Sequence, residues 1–149
     1  MGGTFNPIHY GHLLLAQAAL ESLSLDKILF MPSGNSYMKE ASRILSGELR
    51  GQMVRLALKE NPDFIFSDLE LQRQGPTYTC DTLAALRAQN PQSRYYFILG
   101  EDNLLTIKQW KNPEFILKNC VIAGAVRESD NTSRILDATR LLEKEYQAD

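Results

Sequence analysis

The sequence predicts an α/β fold in which a parallel sheet is covered by helices on both faces. Short apolar runs rich in branched and aromatic residues alternate with segments whose apolar residues recur at helical spacing, and turn-forming residues separate the two kinds. Size points the same way. A chain of 149 residues, 44% apolar and 23% charged, suits one globular domain spanning 1–149 and is too short for two substantial cores.

Each element follows from its local pattern. Residues 11–23 place Leu13, Ala16, Leu20 and Leu23 at helical spacing, so a helix is expected to start near the two histidines and bury that face. Ile28-Leu29-Phe30-Met31 reads as a strand ending at Pro32, and Ser33-Gly34-Asn35-Ser36 is the turn chemistry of a loop at its C-terminal end. Ser46 is expected to cap a second helix with Glu48 in its first turn; Leu49, Met53, Leu56 and Ala57 line the predicted inner face, and Asn61-Pro62 stops it. Phe64-Ile65-Phe66 is a short strand, 79–89 a third helix, and 95–99 and 121–126 two further strands. The last segment, 134–146, puts Ile135, Leu136, Thr139, Leu142 and Tyr146 on one side of an amphipathic helix. In sheets of this kind ligands bind at the C-terminal ends of the strands, so the loops there are where a site is expected.

Composition narrows the function. Net charge is −2 with both signs interspersed, which leaves no basic stripe to track a nucleic acid. No apolar run approaches the roughly 18 residues that cross a bilayer, and the N-terminus shows no basic region followed by an apolar one, so a cytoplasmic protein is expected. Cys80 and Cys120 form no C-x-x-C pair and read as reduced core thiols.

The chemistry concentrates at the start. Gly2-Gly3-Thr4-Phe5-Asn6-Pro7-Ile8-His9-Tyr10-Gly11-His12 sets a glycine-rich turn before a helix, so backbone N–H groups and the positive helix end converge where a phosphate can bind. His9 and His12 are the only histidines, and their i, i+3 spacing can direct both imidazoles at one anion. Two alternatives stay open: the histidines as capping groups, or as a metal pair, for which no nearby Asp, Glu or Cys supplies a familiar zinc spacing.

This stretch resembles the nicotinate-nucleotide adenylyltransferases of the H-x-G-H nucleotidyltransferase superfamily, whose leading signature is matched by His9-Tyr10-Gly11-His12. The resemblance continues through residues 32–39, through Pro76-Thr77-Tyr78-Thr79-Cys80-Asp81-Thr82-Leu83, and through Gly100-Glu101-Asp102-Asn103-Leu104 with Trp110 beyond, so it spans nearly the whole chain. It implies a Rossmann-like sheet and transfer of an adenylyl group from ATP to nicotinate mononucleotide, releasing pyrophosphate with no covalent enzyme intermediate, so that catalysis is positioning plus charge stabilisation. On the resemblance His9 and His12 are catalytic, contacting the ATP phosphates, with Mg²⁺ neutralising part of the charge. Gly2, Gly3, Thr4, Phe5, Gly100 and Asp102 belong to the ATP side, joined by Lys39 and Arg127 as phosphate contacts. Tyr78 and Thr79 form the nicotinate pocket and Trp110 stacks on the pyridine ring. Each has a plainer reading: Lys39 a solvated loop lysine, Trp110 a packing residue, Asp102 an N-cap for a helix beginning at Asn103.

Two departures from the family pattern are expected to matter. Met1 stands directly before Gly2 where the family has an apolar strand, and no I-S-S-T-x-[IV]-R element is found, so the sheet is expected to lack its usual first strand and C-terminal element. A buried strand is worth several kcal/mol in a domain only about 5–15 kcal/mol stable, which leads to the expectation of weak ATP binding with the nicotinate pocket retained. The competing functions are another H-x-G-H transferase, acting on pantetheine phosphate or using CTP, and a non-catalytic nucleotide-binding fragment that takes its missing strand from a partner chain. A homo-oligomer stays open, and the carboxylate-bearing mononucleotide is favoured over nicotinamide mononucleotide by analogy.

Overall fold

The computed structural model describes residues 1–34, 44–125 and 132–146, with backbone alone for 132–134. The elements run in the order β1 (Gly2–Gly3), α1 (Tyr10–Ser22), β2 (Ile28–Pro32), α2 (Gly47–Leu58), β3 (Phe64–Phe66), α3 (Thr79–Gln89), β4 (Tyr96–Gly100), α4 (Glu101–Thr106), a 3₁₀ turn (Ile107–Gln109), α5 (Pro113–Asn119), β5 (Val121–Ala125) and α6 (Thr132–Tyr146). The expected strands and helices are present, joined by β1, the 3₁₀ turn and α5, which were not expected. Residue contacts divide the chain into two compact units, Met1–Thr77 and Tyr78–Asp149.

The first unit is a three-stranded parallel sheet in the order β1-β2-β3. The first strand, expected to be missing, is present as a stub. Gly2 and Gly3 pair with Met31 and Pro32, and the ladder reaches back to Met1, whose carbonyl accepts the Met31 N–H at 3.0 Å and whose amine donates to the Leu29 carbonyl at 2.8 Å. Strand β2 is central, and Phe30 is fully buried between the Phe64 ring, 5.1 Å away, and the Phe5 ring at 6.0 Å. Burying such a side chain stabilises the fold by about 1.5–3 kcal/mol.

Ser46 caps α2 as expected, its hydroxyl accepting the Leu49 N–H at 3.3 Å. The inner face differs from the expected one. Leu49 and Leu56 are 48% and 74% exposed, while Arg50, Gly51, Val54 and Leu58 are buried. The helix is turned by about one position because Arg50, which hydropathy assigns to solvent, has backbone carbonyls waiting inside: Nη1 donates to Thr4 at 2.7 Å, Nη2 to Ser33 at 2.8 Å and Nε to Leu45 at 3.0 Å. A guanidinium is tolerated at depth only when its fixed fork of donors is matched in this way. In α1, Ala16 is buried as expected, but Leu23 is 39% exposed, lying past the helix end as its C-cap.

The second unit pairs β4 with β5 in parallel, Tyr96 opposite Val121 and Gly100 opposite Ala125. Its core gathers Leu99, Leu104, Ile107, Ile116, Ile135 and Leu142. In α6 Leu136 is 50% exposed rather than inward, so the buried stripe is narrower than the sequence pattern suggests. Asn112, with φ of 50°, caps α5 through a side-chain bond from the Phe115 N–H at 3.3 Å, and Pro113 follows where a missing N–H costs nothing. Cys80 and Cys120 are buried free thiols, and burial pushes Cys120 up to about 12.

Candidate functional site

The first unit brings the leading motif together. Past β1 the chain makes a tight turn in which Phe5 takes φ of 47° and is 2% exposed, and the Asn6–Pro7 peptide is cis. The Phe5 ring meets His12 edge-on, with centroids 5.1 Å apart. Gly2 and Gly3, expected in the turn, instead form β1 and lead into it at Thr4: Gly3 accepts the Ser33 N–H at 2.8 Å and Thr4 accepts Arg50. Across the turn, Asn6 Oδ1 accepts the Leu45 N–H at 3.0 Å.

His9 is the N-cap of α1 and His12 its third residue, and the His9 N–H donates to His12 Nδ1 at 3.2 Å. The capping alternative is therefore part of the answer: His12 closes the helix end from inside the first turn. Because Nδ1 accepts, the proton of the neutral ring sits on Nε2, which makes that atom a donor. The two imidazoles lie 3.8 Å apart at an interplanar angle of 31°. Gly11 makes this possible, since a Cβ there would stand 3.1 Å from His9 Cε1 and Nδ1. The first turn of α1 carries no acidic residue to offset the positive end of the helix.

The second unit holds the other group. Tyr78 is the N-cap of α3, Thr79 its first residue and Asp81 lies in its first turn. Trp110 follows the 3₁₀ turn, half-buried, with its ring edge-on to Phe97 at 6.1 Å, and it packs against the core of this unit, so the packing reading holds in part. Its Nε1 is buried without a hydrogen-bond partner among the described residues. Lys111, which the sequence did not single out, ties Tyr78 and Trp110 into one neighbourhood. From the position next to Trp110 its ammonium bonds Asp81 at 3.0 Å and stands 4.4 Å over the Tyr78 ring. Asp81 in turn raises the Lys111 pKa above its ordinary value through that hydrogen bond.

Gly100 ends β4 and is itself the N-cap of α4, with nothing within 4 Å of the position a Cβ would take. The N-cap reading of Asp102 is thereby corrected: α4 begins at Glu101, and Asp102 lies exposed in its first turn, its carbonyl accepting the Thr106 hydroxyl at 3.0 Å. A glycine with extended φ, ψ already fills the cap position, so the helix starts two residues earlier. Lys39 and Arg127 lie outside the described residues. Among the described residues no group of three or more His, Cys, Asp or Glu side chains could hold a metal ion, and no helix is long and apolar enough to cross a membrane.

Comparison with known proteins places this geometry. The cytidylyltransferase-like family matches residues 1–147. The "probable nicotinate-nucleotide adenylyltransferase" of Lachnoclostridium phytofermentans is 41% identical over 148 residues, covering 99% of this chain and 74% of that protein. The protein of the same name from Clostridium acetobutylicum is 39% identical, covering 97% of this chain and 72% of its own length. Among solved structures, the Plasmodium falciparum nicotinic acid mononucleotide adenylyltransferase complexed with NaAD superposes with a TM-score of 0.78 at 21% identity, covering 92% of this chain and 68% of that one, a likeness of fold. With the H-x-G-H pair at the head of α1 and relatives near 40% identity along almost its entire length, the chain belongs to the cytidylyltransferase-like family and, by its curated relatives, to the nicotinate-nucleotide adenylyltransferases.

Proposed function

We propose that this protein transfers the adenylyl group of ATP to nicotinate mononucleotide, forming nicotinate adenine dinucleotide and pyrophosphate in NAD biosynthesis. The observation that carries the proposal is the stacked His9 and His12 pair at the N-terminal end of α1, directly after the Gly2–Phe5 turn. A phosphate oxygen of the mononucleotide attacks the α-phosphorus of ATP, the bond to the bridging oxygen breaks, and pyrophosphate departs with the electron pair. Nothing in that exchange needs a covalent enzyme group. The chain's part is to align the two phosphates and to steady the leaving charge. His12 Nε2–H is the donor assigned to the leaving phosphates, and the unneutralised helix end and the turn's N–H groups add to it.

In the second unit Trp110 is assigned to the pyridine ring, and Tyr78 and Thr79 at the head of α3 to the carboxylate end, with Gly100 and Asp102 on the ATP side. Support comes from their grouping: Lys111 links Tyr78 to the Trp110 segment. Mg²⁺ bound with ATP would lower the phosphate charge that the imidazoles and the turn's N–H groups have to meet. The described residues fit that arrangement, since the donors at the turn are imidazoles and amides suited to phosphate oxygens. The cytoplasm is the compartment in which we place the reaction.

The test is pyrophosphate release from ATP and Mg²⁺ with nicotinate mononucleotide, beside nicotinamide mononucleotide and pantetheine phosphate, with His12→Ala as control. Release with nicotinate mononucleotide that disappears in the variant is the expected result. Release with pantetheine phosphate instead would overturn the substrate assignment.

A further inference from the structure

Arg50 is the one charged side chain among the described residues that is buried, at 4% exposure, and nothing in the reaction outlined above uses it. Its three partners are all carbonyls, Thr4, Ser33 and Leu45, and burial is what lowers its pKa, with no carboxylate acting on it. Its positive charge is therefore not cancelled by an ion pair. Two of the three carbonyls belong to the segments that follow parallel strands: Thr4 stands in the turn after β1 and Ser33 opens the loop after β2.

A trans peptide is planar, with its C=O and N–H directed oppositely. Asn6–Pro7 is the cis bond of the described chain, so the Thr4–Phe5 and Ser33–Gly34 peptides are trans. With the Thr4 oxygen drawn to Nη1, the Phe5 N–H faces away from the guanidinium; with the Ser33 oxygen drawn to Nη2, so does the Gly34 N–H. Neither N–H enters a backbone hydrogen bond among the described residues. Gly34 is also gripped from its other side, where a Cβ would stand 2.3 Å from the Glu70 carbonyl oxygen. A point-charge ammonium cannot hold both carbonyls in this fixed relation, whereas the planar fork can.

We propose that Arg50 is a positioning residue for the ATP triphosphate: it aims the Phe5 and Gly34 N–H groups at phosphate oxygens and sets an uncancelled positive charge behind them. The inference rests on the reading that the Gly2–Phe5 turn binds ATP phosphate, and it adds Gly34 to the residues that do so.

The test compares Arg50→Lys and Arg50→Met with the wild-type protein, measuring dissociation constants for ATP and for adenosine, and KM for nicotinate mononucleotide. Losing two aligned donors to a charged ligand corresponds to an affinity loss of about 10²- to 10⁴-fold. ATP binding is expected to weaken by that factor in both variants, while adenosine and nicotinate mononucleotide change less than about twofold. A merely structural arginine would weaken all three ligands together, and that result, or an unchanged ratio of ATP to adenosine affinity, overturns the proposal. A measurement independent of variant folding is titration of the labelled wild-type protein with inorganic pyrophosphate, which should shift the Phe5 and Gly34 amide resonances; perturbation elsewhere without those two also overturns it. Wild-type protein that binds ATP no better than adenosine would instead refute the underlying reading of the turn.

Discussion

Two glycines, Gly34 in the loop after β2 and Gly100 at the end of β4, separate folding from ligand binding. In Gly34→Ala the added methyl would lie 2.3 Å from the Glu70 carbonyl oxygen and 2.9 Å from Thr77 Cγ2. The first of these is backbone and cannot rotate away, so one segment must retreat by about 1 Å; overpacking of this kind costs about 1–3 kcal/mol, and a backbone obstacle places it near 3. For a chain of this size each kcal/mol moves Tm by about 2–4 °C, which gives a drop of about 6–12 °C. Gly100→Ala meets nothing within 4 Å and keeps a φ of −73° that alanine adopts freely. Its stability should stay within about 0.5 kcal/mol of the parent. If Gly100 lies against ATP, that same methyl collides with the ligand alone, and KM for ATP rises without a change in Tm. Thermal melts and steady-state kinetics on both variants check this. Equal melting of Gly34→Ala and wild type, or a large fall for Gly100→Ala, would refute the steric reasoning.

His12→Asn retains an acceptor near the place of Nδ1 and so keeps the bond from the His9 N–H, but it has no Nε2 donor; kcat should fall about 10²- to 10³-fold while stability changes little, whereas His12→Ala should lose the cap as well, at about 1 kcal/mol. Lys111→Met removes the exposed bridge to Asp81 and the cation over Tyr78, so Tm should barely move while KM for nicotinate mononucleotide rises and KM for ATP does not. Burial holds Cys120 up at about 12 and also raises Cys80, so at pH 8 neither thiol should react with a disulfide reagent in the native protein, and both should react once it is unfolded. On the proposed reading, in which the metal comes with ATP, chelation with EDTA should stop turnover yet leave Tm of the ligand-free protein unchanged.

Much of this molecule was legible wherever a local rule dominates. Helix α3 occupies 79–89 as its spacing predicts, Ser46 caps α2, and Phe64–Phe66 is a strand, since capping, periodicity and turn chemistry act over a few residues. The inner face of α2 was not legible, because it is decided by Arg50 bonding to carbonyls 46 and 17 residues away, which no hydrophobic pattern encodes. Strand β1 was missed for a different reason: two glycines have no side-chain alternation to read, and only the edge offered by Met31 and Pro32 makes them a strand. At the site, the histidine pair was visible from its spacing, while its stacking and the bond from the His9 N–H to His12 Nδ1 belong to three dimensions. Lys111 carried no signal beyond its place beside Trp110, since its partners Asp81 and Tyr78 stand about thirty residues earlier.

The most direct measurement of the central claim follows the α-phosphate. ATP labelled at that position is incubated with the protein, Mg²⁺ and nicotinate mononucleotide, and the products are separated. The account predicts that the label appears in nicotinate adenine dinucleotide, in step with pyrophosphate, and that none is lost to AMP. Label found in AMP alone, or remaining in ATP while the protein is folded and both substrates are present, would contradict it.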